Sequence, residues 1–222
     1  MFRSPRTLIA LLSVAALAAC NDSDVNAVHT TNFAVVRLVN ATDTPITVVG
    51  NSVVDTVNTG IPFGSQSSCL IVDLTTVSPV VFTVAGTGEV IAFTSTLALG
   101  ANVTVVAYAG ADGRPILTTL SNVFTPAPGQ AGLRLFNAAA GSGTLFASAN
   151  GTPIITTGTS FGAASAFVSV SSAPMDITIA NGTSIVLDAG LQAFPAGQNS
   201  TMVVGPPATG TVPLRFFTST GC

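Results

Sequence analysis

Short apolar runs alternate with turn residues along the chain after residue 32. Runs rich in Val, Ile, Thr and Phe are separated by Gly, Asn, Asp and Pro. They recur about every 8–12 residues, a spacing typical of all-β sandwiches and barrels. The predicted strands include Ala34–Val39, Leu70–Leu74, Val80–Ala85, Val90–Thr96 and Val103–Tyr108. No window beyond residue 20 shows a capped apolar stripe of helical period, so we predict almost no helix.

Small polar residues mark the expected tight turns. Asn150-Gly151 and Asn181-Gly182 each lie between two strand-like runs. Asn-Gly is the favoured pair of a two-residue hairpin because both central positions need positive φ. Asp112-Gly113 is likewise predicted to form a hairpin turn, and the segment Asp188–Gly190 is given the same interpretation.

The chain nearly repeats itself with a period close to 97 residues. The block Val36–Ala41 (VRLVNA) matches Leu133–Ala138 (LRLFNA). Three further blocks match in the same order: Phe63–Ser67 with Phe161–Ser165, Gly100–Val106 with Gly197–Val203, and Pro115–Leu117 with Pro213–Arg215. A repeat of this length suits a complete domain rather than a solenoid unit. We therefore predict two tandem antiparallel β-sandwich domains of immunoglobulin-like type, over 33–124 and 131–222, joined by a Pro/Gly-rich linker at 125–130.

The N-terminus has the form of a bacterial export signal over residues 1–19. Arg3 and Arg6 precede an apolar stretch, Thr7–Ala19, that is too short to span a bilayer comfortably. It ends in Leu17–Cys20 (LAAC), which resembles the lipobox of bacterial lipoproteins. The resemblance implies cleavage before Cys20 and acylation of that residue, which would anchor the chain through lipid alone. An ordinary secretory signal and a short membrane anchor are the alternatives.

Residues 20–32 are polar and are predicted to form a lipidated tether. Asn21 follows the expected lipidated cysteine, where an Asp would be associated with retention in the inner membrane. By resemblance to lipoprotein sorting, we expect a cell-envelope location, at the outer membrane if the cell is Gram-negative.

The repeated blocks resemble the domain of unknown function 4397 family. The resemblance rests on Val-Arg-Leu-Val-Asn-Ala, on the Phe-Gly-Ser/Ala segment before a strand, and on Gly-x-Asn-x-Thr-x-Val-Val, and it spans roughly Phe33 to Thr218. It implies tandem domains on a secreted or lipid-anchored bacterial protein. The acidic pattern that family members commonly carry after the first strand is missing from the second repeat, at 138–145. No activity is established for the family, so no catalytic residue is transferred.

Composition excludes several classes of protein. The 222 residues carry six Arg, no Lys and nine acidic residues, with a net charge of −3. Scattered Arg on an acidic chain excludes an electrostatic nucleic-acid binder. Hydrophobic residues reach 48%, yet beyond the signal no apolar run approaches the ~18 residues of a membrane-spanning helix. The polar balance comes from uncharged Ser, Thr, Asn and Gly, so high net charge gives no reason to expect disorder.

Catalytic motifs are missing from the sequence. The one histidine, His29, lies in the predicted tether, away from any rigid scaffold that could hold it against a nucleophile. The acidic residues of the two repeats are spread singly: Asp43, Asp55, Asp73, Glu89, Asp112, Asp176 and Asp188. We therefore predict no catalytic residue, no metal site and no cofactor. Dispersed carboxylates can still meet in space, which keeps a polysaccharide hydrolase as an alternative.

Arg37 and Arg134 occupy equivalent positions in the first strand of each repeat. Two interpretations are open. A ligand carboxylate could be clamped twice, or each side chain could point outward and meet solvent or a local acid.

Cys69 and Cys222 are predicted to form a disulfide. Lipidation would consume Cys20 and leave an even pair in an oxidising compartment. Half-buried or intermolecular thiols are the alternatives.

The leading functional hypothesis is a non-enzymatic, lipid-anchored envelope protein with a structural, adhesive or binding role. Its expected partners are the membrane, through the N-terminal lipid, and envelope proteins, glycans or host surfaces. A hydrolase using dispersed carboxylates and a lipoprotein that binds a small ligand are the alternatives. We also expect a chain ending near Thr125 to fold alone, because each repeat should bury its own core.

Overall fold

The computed structural model describes residues 33–49, 60–74, 80–84, 89–93, 97–207 and 214–222. These ranges contain strands and loops and no helix. The expected signal at 1–19 and tether at 20–32, with Cys20 and His29, lie outside the described residues, and so does Asp55.

The described strands follow one another in the order expected of an all-β chain. The first repeat has β1 (Phe33–Ala41), β2 (Ile46–Val49), β3 (Leu70–Asp73), β4 (Val80–Val84), β5 (Val90–Phe93), β6 (Asn102–Ala109) and β7 (Pro115–Ser121). The second has β8 (Gln130–Asn137), β9 (Leu145–Ala149), β10 (Thr152–Thr159), β11 (Val168–Ser171), β12 (Met175–Asn181), β13 (Ser184–Gln192), β14 (Asn199–Gly205) and β15 (Arg215–Thr220).

The two repeats share one sheet topology. The sheet that contains β1 has the order β3-β1-β6-β7, and the matching sheet of the second repeat, which contains β8, has the order β11-β8-β14-β15. The other sheets are β2-β4-β5 and β10-β9-β12-β13. Matching strands therefore take matching places, and the repeat in sequence is a repeat in structure.

Each repeat is a β-sandwich, as expected. In the second repeat, Leu133 and Leu135 of one sheet pack with Ile177 and Ile179 of the other, all fully buried. In the first repeat, Leu38 of the β1 sheet packs with Ile46 and Val48 of β2, in the other sheet. These residues belong to a core separate from that of the second repeat. The finer assignment to an immunoglobulin-like type stays a prediction.

The antiparallel arrangement that we expected needs one correction in each repeat. β1 runs parallel to β6, and β8 runs parallel to β14, while the other pairings in these two sheets are antiparallel. The reason is the path of the chain. After β1 it crosses to the second sheet, returns at β3 on one side of β1, and crosses again before β6 joins the other side. The connection from β1 to β6 is therefore long, as a parallel pair requires.

The asparagine of the block Val36–Ala41 holds the loop that follows β1. Asn40 is fully buried, and its Nδ2 donates to the carbonyl oxygens of Thr44, at 2.9 Å, and of Ile61, at 2.8 Å. Asn137 makes the equivalent pair of bonds in the second repeat. The asparagine therefore satisfies carbonyl groups that the loop would otherwise leave buried without a donor.

The serine that ends the Phe63–Ser67 block ties that segment to the first strand. The backbone N–H of Leu38 donates to Ser67 Oγ at 2.9 Å. The Leu135 N–H donates to Ser165 Oγ in the second repeat at 3.0 Å. Both recurring motifs thus have structural roles within the described residues.

The hairpin turns follow the expected chemistry at two sites and depart from it at a third. Asn150 and Gly151 both have positive φ, at 49° and 75°, and Gly113 has a φ of 79°. At the second Asn-Gly pair, Asn181 stays in β12 opposite Ser184. The two loop residues are therefore Gly182 and Thr183, one position later than expected. Asn181 is held in the strand by a hydrogen bond from its Nδ2 to the Ser142 carbonyl oxygen.

The predicted turn at Asp188–Gly190 is wrong. These residues lie inside β13, where the register with β12 shifts by one residue between Ile177 and Thr178. Asp188 Oδ1 accepts a hydrogen bond from the Gly190 N–H at 2.9 Å. The Asp-x-Gly pattern is here the signature of a β-bulge, which uses the same local chemistry as a turn.

The outer faces of the sheets that contain β1 and β8 pack against each other. This inter-repeat core consists of Val39, Ala41, Val106, Tyr108 and Leu120 from the first repeat and Phe136, Ala138 and Val203 from the second. Val39 and Phe136 are equivalent positions in the two repeats, so matching faces meet, as in an isologous dimer. These two sheets are therefore covered on both faces.

Large and small side chains are complementary across this interface. A Cβ at Gly205 would lie 2.9 Å from the ring of Phe63, and a Cβ at Gly162 would lie 2.8 Å from the Tyr108 hydroxyl. Gly205 is the equivalent of Tyr108. The face of the first repeat therefore fits the second repeat better than it would fit a copy of itself.

A chain ending near Thr125 is still expected to fold, because it keeps the sandwich core around Leu38. It would, however, expose Val39, Val106 and Tyr108, which the second repeat covers. We expect a cooperative transition at lower temperature than in the full chain, together with binding of a hydrophobic dye. Thermal unfolding followed by circular dichroism tests the first point. A truncated chain without a cooperative transition would refute the independence of the repeat.

Candidate functional site

Arg37 reaches across the interface to the last strand of the second repeat. Its Nη1 donates to the Thr220 carbonyl at 2.7 Å and to Thr220 Oγ1 at 2.9 Å. Its Nη2 donates to Cys69 Sγ at 2.8 Å. The side chain is half-buried, and burial lowers the pKa of its guanidinium. We call this set of contacts the Arg37 junction.

Arg134 makes the corresponding contact with the end of the first repeat, which we call the Arg134 junction. Its Nη1 donates to the Ser121 carbonyl at 2.6 Å, its Nη2 to Asn122 Oδ1 at 2.9 Å, and its Nε to Thr201 Oγ1 at 2.9 Å. Arg134 is only 4% exposed. Burial lowers the pKa of its guanidinium to about 10, which leaves it charged at neutral pH.

These contacts change both sequence interpretations of the two arginines. Among the described residues, a salt bridge joins Arg215 to Asp43 at 2.6 Å, whereas neither Arg37 nor Arg134 takes part in one. Arg134 is enclosed, so it neither points outward nor can clamp a ligand. Arg37 remains partly accessible.

Different groups cover the two junctions from equivalent positions. The rings of Phe124 and Phe167 stack at 5.2 Å, and the guanidinium of Arg134 lies 4.4 Å from the Phe167 ring centroid. Counting 98 residues along the repeat takes Cys69 to Phe167 and Phe124 to Cys222. The structure joins these two cysteines in a disulfide, with their Cα atoms 5.8 Å apart. The disulfide of one junction therefore stands where the other has a stacked aromatic pair.

The disulfide also links the two repeats directly. It connects the start of β3 with the residues that follow β15, over a sequence separation of 153 residues. Together with the inter-repeat core and the two arginines, it makes the repeats one mechanical unit.

A cavity of about 420 Å³ opens beside the Arg37 junction. We call it the junction cavity. Its lining is largely polar and includes Arg37, Asn102, Asn122, Gln198, Asn199 and Cys222. Asn102 and Asn199 are equivalent residues at the starts of β6 and β14. The sequence offers one signal for this site, the asparagine that recurs in the Gly-x-Asn motif of both repeats.

The structure brings two of the dispersed carboxylates to one cavity. Asp43 and Glu89 line a space of about 360 Å³ at another part of the surface. Asp43 is bound by Arg215, whose guanidinium lies 3.4 Å from the centroid of the Phe63 ring. Asp112 accepts instead from a backbone N–H in its turn. A third cavity, of about 310 Å³, has a mixed lining that includes Ile154 and Met175.

Among the described residues, no group of three or more His, Cys, Asp or Glu is placed to hold a metal ion. The described ranges contain no helix long and apolar enough to cross a membrane.

Comparison with known proteins adds little. No protein-family model matches the chain, and no curated protein matches it. Among solved structures, the chain is similar to the C-terminal domain of AlgF from P. aeruginosa, with a TM-score of 0.33 and 13% sequence identity. The match covers 41% of this chain and 99% of that one. A likeness this slight carries no argument about function.

Proposed function

We propose that the chain is a lipid-anchored protein of the bacterial cell envelope, with a non-enzymatic structural, adhesive or binding role. The observation that carries the proposal is the coupling of the two repeats into one body by a shared core, two arginines and a disulfide. Such a body suits presentation of a fixed surface at a membrane. The lipobox-like Leu17–Cys20 supplies the anchor.

The position of the first strand fits an anchored arrangement. The first described strand begins at Phe33. Residues 21–32, if fully extended, reach at most about 40 Å from the lipidated residue. The body would therefore stand close to the membrane that carries it.

The proposed relation to the domain of unknown function 4397 family rests on motifs whose roles are now visible. Asn40 and Asn137 hold loops, and Ser67 and Ser165 hold chain segments to the first strand. The resemblance thus concerns residues that maintain the fold. It carries no activity with it.

The hydrolase alternative would use the cavity that holds Asp43 and Glu89. Asp43 is paired with Arg215 at 2.6 Å, so one of the two carboxylates is already engaged within the fold rather than held free for a substrate. In a polysaccharide-hydrolysis assay, Asp43→Asn and Glu89→Gln variants should behave like the parent chain. Hydrolysis by the parent chain that is lost in both variants would establish the alternative instead.

Changing Cys20→Ala should give a protein that incorporates no fatty acid and accumulates as an uncleaved precursor. The measurement is metabolic labelling with a radioactive or clickable fatty acid in a bacterial host that lipidates exported proteins. Cys69→Ala is the matched control, because it removes a different cysteine and should leave labelling unchanged. Label retained in the Cys20→Ala protein would refute the anchor.

A further inference from the structure

We propose that the junction cavity binds a compact oxyanion, a carboxylate or a phosphate group, with Arg37 as its cationic contact. The proposal concerns a ligand site in the folded body and goes beyond the anchoring function, since it holds whether or not Cys20 carries lipid.

The first argument is charge. Arg37 is a half-buried cation at the wall of the cavity, and it forms no salt bridge among the described residues. Its partners are the neutral groups of Thr220 and the sulfur of Cys69. A partly desolvated cation without a counter-ion is costly, and a bound anion would offset that cost.

The second argument is the count of donors. A guanidinium has five N–H groups. Thr220 accepts two of those from Arg37 and Cys69 accepts one, and Nε is buried without a partner. One N–H on Nη2 therefore remains for a ligand. Asn122 uses one amide hydrogen on Asn102 Oδ1, at 2.8 Å, and retains the other.

The third argument is the difference between the two junctions. At the Arg134 junction, the guanidinium donates to three acceptors and lies over a phenylalanine ring, and the side chain is enclosed. At the Arg37 junction, the smaller disulfide stands in the place of the stacked rings, and a cavity opens beside it. The same arginine is therefore sealed in one repeat and accessible in the other.

The fourth argument is the lining. The cavity side chains are a guanidinium and amides, with no Asp or Glu side chain among the residues that line it. Its volume of about 420 Å³ falls within the usual range of small-molecule sites, about 300–1,000 Å³. Asn199 uses both amide hydrogens on the carbonyl oxygens of Asn122 and Phe124, which leaves the Nδ2 groups of Asn102 and Asn122 to donate beside Arg37. One cation with two amide donors favours oxyanions over cations and over purely apolar ligands.

The test is isothermal titration calorimetry on the detergent-solubilised mature protein at constant ionic strength. Sodium acetate and sodium phosphate are titrated separately, with sodium chloride and glucose as comparison solutes. We expect saturable binding of at least one oxyanion, and the better of the two identifies the chemistry of the natural ligand. Arg37→Gln should weaken that binding by roughly tenfold or more.

A second variant protects the test from loss of folding. Asn102→Asp keeps the acceptor for Asn122 and places a carboxylate in the cavity, so it should abolish oxyanion binding while the protein stays folded. Arg114→Gln removes an exposed charge in the β6–β7 turn. Asn150→Asp makes the same chemical change as Asn102→Asp in a distant turn, where positive φ is tolerated. Both controls should bind like the parent.

Three results would overturn the proposal. They are no saturable oxyanion binding up to about 100 mM, equal binding by Arg37→Gln, Asn102→Asp and parent proteins, and glucose binding equal to that of the oxyanions.

Discussion

Replacing Phe136 by alanine should lower the free energy of unfolding by about 4 kcal/mol. Phe136 is 0% exposed and lies in the inter-repeat core, where its ring meets that of Tyr108 edge-on at 5.3 Å. Its loss leaves a cavity between two sheets that are each held by other contacts, so little of the cavity can collapse. Equilibrium unfolding in guanidinium chloride, followed by circular dichroism, measures the change.

Phe146→Ala is the matched control for this substitution. Phe146 lies in β9 of the second repeat, is only half-buried, and takes no part in the inter-repeat core. Its replacement should cost clearly less. A Phe136→Ala protein as stable as the Phe146→Ala protein would contradict the importance of the contact between the repeats.

Replacing both Cys69 and Cys222 by alanine should lower the free energy of unfolding by up to about 5 kcal/mol. The disulfide closes a loop across a sequence separation of 153 residues, and in the chain-entropy model a long closed loop restricts the unfolded chain strongly. The variant also removes the sulfur that accepts from Arg37. Guanidinium unfolding of the parent with and without a reductant provides an independent measurement.

The double variant Phe124→Ala/Phe167→Ala is the comparison for the disulfide. It removes the equivalent cover from the Arg134 junction and leaves the cross-link intact. The double variant should lose stability only through missing contacts in the folded state. Because its disulfide is intact, a reductant should lower its free energy of unfolding further. Equal stability of the parent with and without reductant would contradict the structural role of the disulfide.

The strands were predictable because their apolar runs are short and bounded by turn residues. β3 and β6 lie within one residue of the expected limits. The Asn150-Gly151 turn followed from the need for positive φ. The bulge at Asp188–Gly190 was missed because its local chemistry is that of a turn, and only pairing with β12 distinguishes the two.

The inter-repeat core was missed, although the sequence carries a signal for it. Leu38–Ala41 and Leu133–Asn137 are buried without interruption. Strands buried on both faces lack a strict alternation of apolar and polar residues. That pattern indicates a second covering layer, but it does not show that the layer is the other repeat.

The candidate site was predictable only in part. Arg37 and Arg134 stood out because each is a charged residue in an apolar strand at equivalent positions. The equivalence of Phe124 and Cys222 was missed, since it appears only when the repeat is aligned beyond its conserved blocks. The amides of the junction cavity come from distant strand ends, so their meeting depends on how the two repeats pack.

Differential scanning calorimetry of the mature protein with its disulfide intact tests most directly whether the two repeats form one unit. The account predicts a single transition whose calorimetric enthalpy equals its van't Hoff enthalpy, because the shared core and both arginine junctions are lost together. Two separate transitions, each with the enthalpy of one repeat, would contradict it.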